Sequence, residues 1–126
     1  MKYLLDTTLL IDHTLDVAGA RRVVERLFEA PNDLLTCDVV VAEAMSGGTD
    51  GHRELLRTLI AALEYVAIPP EAAAWAGESR RLRRASSHRT LGDALIAGVA
   101  WFTGATIVTR NPADFAAHGI PVLTYG

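Results

Sequence analysis

The sequence predicts an α/β fold in which a mainly parallel sheet is sandwiched between helices, and three observations carry that expectation. Short apolar runs without polar alternation recur at 3–5, 34–36, 65–68 and 105–109, the pattern of strands covered on both faces. Stretches of helical period separate them, so the order is βαβα almost throughout, which implies right-handed crossovers around one sheet. The 126 residues are half hydrophobic, enough for one core and too few for two, so residues 1–126 are expected to form a single domain.

The opening run YLL breaks into Asp6-Thr7-Thr8, a carboxylate and two hydroxyls at a strand exit. Residues 8–13 are expected to make a helical turn. Residues 18–30 make an amphipathic helix, with Val23, Val24, Leu27 and Phe28 on one side and Arg22, Glu25, Arg26 and Glu29 on the other. Pro31-Asn32-Asp33 stops it. After the strand at 34–36, Asp38 reads as the N-cap of a helix over 39–45, which carries Glu43 and ends in Ser46-Gly47-Gly48.

Helical period returns over 52–63 through Leu55, Leu56, Leu59, Ile60 and Leu63. The strand at 65–68 ends at Pro69-Pro70, and Pro70 suits the first turn of a helix over 71–85 whose far end is basic. Ser86-Ser87-His88-Arg89 reads as a polar loop, and Thr90 as the N-cap of a nearly all-apolar helix over 91–102. That helix has Asp93 in its first turn and is closed by Gly104. The strand at 105–109 leads to Asn111-Pro112, which opens a turn of helix through 117, and 121–125 is the last strand.

The net charge of −3 gives no global field to recruit nucleic acid, so any such binding rests on a local patch or on bound cations. The single cysteine, Cys37, excludes an internal disulfide and every multi-cysteine zinc motif. No apolar run approaches the roughly 18 residues of a membrane span, and no signal peptide is evident, so the expectation is a cytoplasmic protein with no membrane partner.

Four carboxylates, Asp6, Glu43, Asp93 and Asp114, sit at strand exits or helix starts that such a sheet brings to one edge. Each has an ordinary reading as well. TLGD and NPAD both fit capping boxes, Asp6 suits a cap, and most glutamates are solvated helix residues. Against this, Glu43 is the sole charge in VVVAEAM, and Asp93 leads the apolar LGDALIAGVAW. Crowded ionised acids repel unless one is protonated or a cation lies among them. A hard divalent ion, Mg²⁺ or Mn²⁺, suits carboxylate oxygens, and no thiolate or paired-histidine spacing points to zinc.

These stretches carry a resemblance over the whole chain. LLDTTLLID, VVVAEAM and LGDALIAGVAWFTGATIVTRNPADF resemble the acid-bearing segments of PIN domains, most closely the VapC-type toxin ribonucleases of bacterial toxin–antitoxin pairs. The resemblance implies a three-layer α/β/α sandwich, a Mg²⁺- or Mn²⁺-dependent endoribonuclease cutting RNA, a cognate antitoxin and a homodimer. It matches Asp6, Glu43 and Asp93 to the three core acids. Many relatives carry an acid where this chain has Asn111, so Asp114 is the expected fourth ligand, and Asn111 is expected to cap the short helix with its side-chain oxygen. Thr7 and Thr109 match hydroxyl positions near metal or phosphate.

Arg110, beside the strand exit and closer to the acids in sequence than the arginines of the helix over 71–85, is the preferred substrate contact. Arg80, Arg81, Arg83, Arg84, His88 and Arg89 fit a helix end stabilised by its dipole as well as they fit RNA contacts. His13, His52 and His118 are expected at the surface, and Trp75 and Trp101 in the core or a subunit interface. A receiver-type phospho-acceptor domain would need a lysine near the phosphate, and the only lysine, Lys2, precedes the first strand. The alternative to a nuclease is a catalytically impaired PIN-like interaction module.

Overall fold

The computed structural model describes residues 1–83 and 90–126. Five strands, β1 (Lys2–Leu5), β2 (Asp33–Cys37), β3 (Glu64–Val66), β4 (Thr106–Thr109) and β5 (Val122–Thr124), form one sheet in the order β3-β2-β1-β4-β5. Every pairing is parallel. Among the described residues seven helices surround it: α1 (Thr7–Leu15), α2 (Ala20–Glu29), α3 (Asp38–Ala44), α4 (Asp50–Ala61), α5 (Pro70–Leu82), α6 (Leu91–Thr103) and α7 (Pro112–Ala116). The three-layer α/β/α arrangement matches the sequence expectation.

Strand order places the site. The chain winds outward from β1 through β2 to β3, then returns to lay β4 on the opposite side of β1. That reversal opens a crevice past the carboxyl ends of β1 and β4, where ligands of open parallel sheets bind. The strands bury nearly continuous apolar runs, with Leu4, Leu5, Leu35, Ile107 and Val108 all essentially inaccessible.

Several boundaries move, each for a physical reason. The expected turn at 8–13 is a full helix, α1, ended by Asp16 in the left-handed region at φ 54°. Asp38 is not an N-cap but the first residue of α3. Its carboxylate accepts the Tyr65 hydroxyl and the Ile68 N–H at 3.0 Å, tying the helix to the end of β3. The cap of α4 is Thr49, whose side chain accepts the His52 N–H.

Helix α5 stops at Leu82, short of 85, because Arg83 leaves helical geometry and donates to the Ala117 carbonyl. The expected loop at 86–89 lies outside the described residues. Of the four apolar residues assigned to one face of α2, Val24 and Leu27 are buried while Phe28 is 45% exposed. Helix α6 is buried along Ala94, Ile96, Ala97, Gly98, Val99 and Ala100 rather than all round. A Cβ on Gly98 would lie 2.6 Å from the Ala72 carbonyl oxygen, so α5 and α6 touch backbone to side, while Trp101 and Phe102 stay about half exposed.

Candidate active site

Asp6 follows β1 directly, and Thr109 ends β4. The register Leu5↔Val108, with the Asp6 N–H bonded to the Val108 carbonyl at 3.0 Å, makes these two residues neighbours across the strand pair. Thr109 donates its hydroxyl to Asp6 Oδ2 at 2.9 Å, and Thr8 donates to the same oxygen at 2.9 Å. Asp6 is 4% exposed. Burial raises its carboxyl above the ordinary value, and the two hydroxyls and the Thr7 and Thr8 amides oppose that rise. Although Asp6 occupies the N-cap position of α1, its side chain makes no capping hydrogen bond.

Glu43 reaches the same edge from α3, which starts at the exit of β2. Thr7 donates its hydroxyl to Glu43 Oε1 at 2.7 Å, and Glu43 Oε2 lies against Gly92. Asp93 stands in the first turn of α6. Because α6 runs back to the start of β4, its N-terminus lies at the carboxyl edge of the sheet. Thr90 caps α6 as expected, its Oγ1 accepting the Asp93 N–H at 3.4 Å. Burial pushes the Asp93 carboxyl up, and the negative charges of Asp114, Asp6 and Glu43 push it further, against a hydrogen bond with Thr90.

Asp93 is thus within electrostatic reach of three carboxylates from three other segments. In donor chemistry the four fit a hard divalent cation, which would relieve the repulsion that raises Asp93. Their side chains do not close into a ligand cage: among the described residues no three acid, histidine or cysteine groups converge closely enough to hold an ion. Cys37 is buried and its thiol is pushed up by burial.

Asn111 departs from expectation. Its side chain makes no capping hydrogen bond on α7. Instead its N–H donates to Thr109 Oγ1 at 3.0 Å, and its backbone carbonyl accepts the Asp114 N–H at 3.2 Å.

Beyond the acids, the structure brings in residues that the sequence reading did not select. Asp12, 3% exposed, accepts the Tyr125 hydroxyl at 2.8 Å and pairs with Arg110 Nε at 3.2 Å. Arg110, the expected substrate contact, is therefore held through Nε by a buried carboxylate, with its side chain half exposed. Its backbone N–H reaches Thr8 Oγ1 at 3.5 Å. The signal for Asp12 was present: a lone acid in the apolar TLLIDHTL, the criterion that singled out Glu43.

Arg89, also expected at the substrate, lies outside the described residues, as do Arg84 and His88. Arg81 pairs with Glu78 at 2.6 Å, and Arg83 bonds Ser79 and the Ala117 carbonyl, so these two follow the helix-end reading. His118, expected at the surface, is buried and shares a 2.6 Å hydrogen bond with Ser79. Trp75 stacks on Trp101 with ring centroids 5.4 Å apart.

Comparison with known proteins agrees with this architecture. No curated protein sequence matches the chain. Among solved structures it is similar to VapBC2 from Rickettsia felis bound to a promoter DNA fragment, at TM-score 0.83 and 21% identity over 100% of both chains. It is also similar to a toxin–antitoxin complex from Klebsiella pneumoniae, at TM-score 0.77 and 27% identity over 97% of this chain and 96% of that one. DNA-bound VapBC from Salmonella typhimurium matches at TM-score 0.77 and 23% identity over 98% of each. The family model of the PIN domain matches residues 3–121, from the first strand to the last turn before β5, and the chain belongs to the PIN domain family.

Proposed function

We propose that the protein is a metal-dependent endoribonuclease of the toxin type, held in check by a cognate antitoxin and active in the cytoplasm as a homodimer. The observation that supports this reading is the gathering of Asp6, Glu43, Asp93 and Asp114 at the crevice of a parallel sheet, where the Asp93 carboxyl is raised first by burial and further by the charges of the other three. PIN-family membership and the likeness to toxin–antitoxin complexes support it.

Asp6 and Asp93 would hold a Mg²⁺ or Mn²⁺ ion, with Asp114 completing the acidic shell and Glu43 either ligating or accepting a proton from the attacking water. When bound, such an ion supplies the positive charge that polarises a phosphoryl oxygen and acidifies a water. The chain supplies orientation. Thr8 and Thr109 fix the Asp6 carboxylate through Oδ2, and Thr7 fixes Glu43 through Oε1. Arg110, tethered through Nε to Asp12, keeps its terminal nitrogens for a backbone phosphate of the RNA.

A second reading, a PIN-like interaction module without catalysis, is favoured by one observation: no three of the acids converge at ligand distance among the described residues. Incubating the purified, antitoxin-free protein with a mixed RNA panel, with Mn²⁺ or with chelator, separates the two. Cleavage that requires the metal supports the nuclease. Intact RNA in both conditions, from protein that still binds its antitoxin, supports the module.

A further inference from the structure

The chain carries a net charge of −3, and the acids of the crevice repel an RNA backbone. Cations outside the quartet therefore have to draw the strand in. At the basic end of α5, Arg81 and Arg83 are engaged with Glu78, Ser79 and the Ala117 carbonyl. Among the described arginines, two make neither a hydrogen bond nor an ion pair, Arg22 and Arg26 of α2. Both are exposed, and a spacing of four residues sets them on one face of the helix.

The position of Arg22 is unfavourable for the fold by itself. It stands in the first turn of α2, where the helix dipole disfavours a cation, and no acid in that turn offsets it. Arg21, in the same turn, is compensated: it donates to the His13 and Thr14 carbonyls and pairs with Asp16. Arg22 has no such compensation among the described residues.

The fold leads this face to the crevice. Helix α2 runs into the start of β2, so it begins at the carboxyl edge of the sheet and ends at the opposite edge. A Cβ on Gly126 would lie 3.4 Å from Arg110 Cδ and 3.5 Å from Ala18 Cβ, which puts the approach to α2 beside Arg110. Further along, Arg26 borders a hollow with Val23, Leu27, Leu123 and Thr124, so it lies where α2 meets β5. Glu25 is on the other flank, in the hollow that α2 shares with α4, and Glu29 follows one turn beyond Arg26, away from the crevice. Arg110, Arg22 and Arg26 thus succeed one another down the β5 side.

We propose that Arg22 and Arg26 bind phosphates of the RNA strand where it leaves the crevice past Arg110, holding it along α2 beside β5. This rests on the ribonuclease reading above and adds to it the path of the substrate outside the acids. A single strand presents one charge per nucleotide along its length, and guanidinium groups bind phosphate oxygens through paired N–H donors. A row of separated cations that continues from Arg110 matches such a strand. An acidic protein segment gains nothing from that continuity, because the row ends at four carboxylates that repel it.

The test follows KM against salt and against RNA length. Cleavage of a random-sequence single-stranded RNA pool with Mn²⁺ first identifies a substrate and its cut. That RNA is then shortened to the nucleotide next to the cut, on the 5′ side in one oligonucleotide and on the 3′ side in another. The enzymes are the wild type, Arg22→Gln, Arg26→Gln, the double variant, and the double lysine variant Arg22→Lys with Arg26→Lys. A thermal melt checks that each folds, and Arg22→Gln should melt no lower than the wild type, since it removes the uncompensated cation.

On the full-length RNA the double glutamine variant should raise KM about tenfold near physiological salt, with kcat unchanged. Its slope of log(1/KM) against log salt should be shallower by about 1.4, half of it in each single variant. The lysine variant, which keeps the charges, should stay within about threefold of the wild type. Shortening one side of the RNA should erase the difference between wild type and variant, and shortening the other should leave it. An unchanged KM and slope on full-length RNA overturns the assignment, as does a difference that survives both shortenings or a lysine variant as weak as the glutamine one. Glutamine variants with normal KM but a weakened hold on the antitoxin make the patch a protein surface instead. A wild type that cuts no RNA overturns the ribonuclease reading together with this path, whereas RNA cut equally well by every variant overturns the path alone.

Discussion

A methyl group placed on Gly92 would lie 2.9 Å from Glu43 Oε2, so the residue before Asp93 is small where the acid of α3 comes to rest. The contact is with the far end of a flexible side chain, and Gly92 has no positive φ. Gly92→Ala should therefore fold, and should gain up to about 1 kcal/mol from helix propensity. It should also displace the Glu43 carboxylate from Thr7 and slow RNA cleavage several-fold. Urea denaturation and a cleavage assay on the same preparation check both halves. Full activity in a stabilised Gly92→Ala protein would show that the position of Glu43 is immaterial.

The electrostatic crowding at Asp93 makes a different pair of statements. Removing one charge from a self-repelling cluster should stabilise the metal-free protein, so Asp93→Asn is expected to melt higher than the wild type in chelator. An ion that binds only the folded state adds about 2.7 kcal/mol at a hundred times its Kd. Mn²⁺ should raise the wild-type melting temperature and do little for Asp6→Asn or Asp93→Asn, both of which should lose cleavage. Identical Mn²⁺ responses in all three proteins would count against a metal site on these acids.

How far the sequence reaches is visible in particular residues. Thr90, Gly104 and Pro70 act within a few positions of themselves, and each stands at the helix boundary expected of it. The acids were legible for a related reason, since a carboxylate after a parallel strand is carried to one edge by topology alone. Asp38 was misread as a cap because its partners, Tyr65 and Ile68, are about thirty residues away. His118 looked like a turn residue, yet Ser79 on α5 draws it inward. Asp12 and Tyr125 are 113 positions apart and meet because β5 lies beside β4, which lies beside β1.

The Asp38–Tyr65 bond gives a pH signature. The Tyr65 hydroxyl is pushed up to about 12, first by its hydrogen bond to Asp38, and the Asp38 carboxyl is held below its ordinary value by the same bond and the Ile68 amide. Tyr65 is half exposed and Asp38 only partly buried, so Tyr65→Phe should cost only about 0.5 kcal/mol near neutrality. For the tyrosine, whose folded value is raised, the contribution is whole below about 10 and disappears as pH rises through about 12. For the aspartate, whose folded value is depressed, it is whole above about 3.9 and disappears as pH falls further. The gap between wild type and Tyr65→Phe should thus be flat from about pH 5 to 9 and close at both extremes. A gap that does not vary with pH would assign the cost to packing.

Arg110 can be tested apart from the acids. Asp12 is buried and half of Arg110 is not, so the cost of Asp12→Asn should be about 1–2 kcal/mol, below that of a fully buried pair. A double-mutant cycle with Arg110→Gln should return a coupling of at least about 0.5 kcal/mol. If the guanidinium also meets an RNA phosphate, Arg110→Gln should reduce the slope of log affinity against log salt by about 0.7. Asp12→Asn, which leaves the cation in place, should not reduce it. Coupling without any change of slope would confine Arg110 to holding Asp12.

The fourth acid position is decided by Asn111 and Asp114. The Asn111 side chain makes no cap bond, so Asn111→Ala should cost well under the roughly 1 kcal/mol of a lost N-cap. Asp114 already acts on Asp93 through its charge, the largest of the three acid contributions there. Asp114→Asn should therefore weaken Mn²⁺ binding and slow cleavage, while Asn111→Ala should leave both near the wild-type values. Because its side chain is not engaged in a cap, Asn111→Asp adds a carboxylate free to turn toward the crevice, and it should tighten Mn²⁺ if that position faces the ion. Titration calorimetry with Mn²⁺ on the three variants orders them. A loss of affinity in Asn111→Ala with none in Asp114→Asn would move the fourth ligand from α7's first turn to its N-cap.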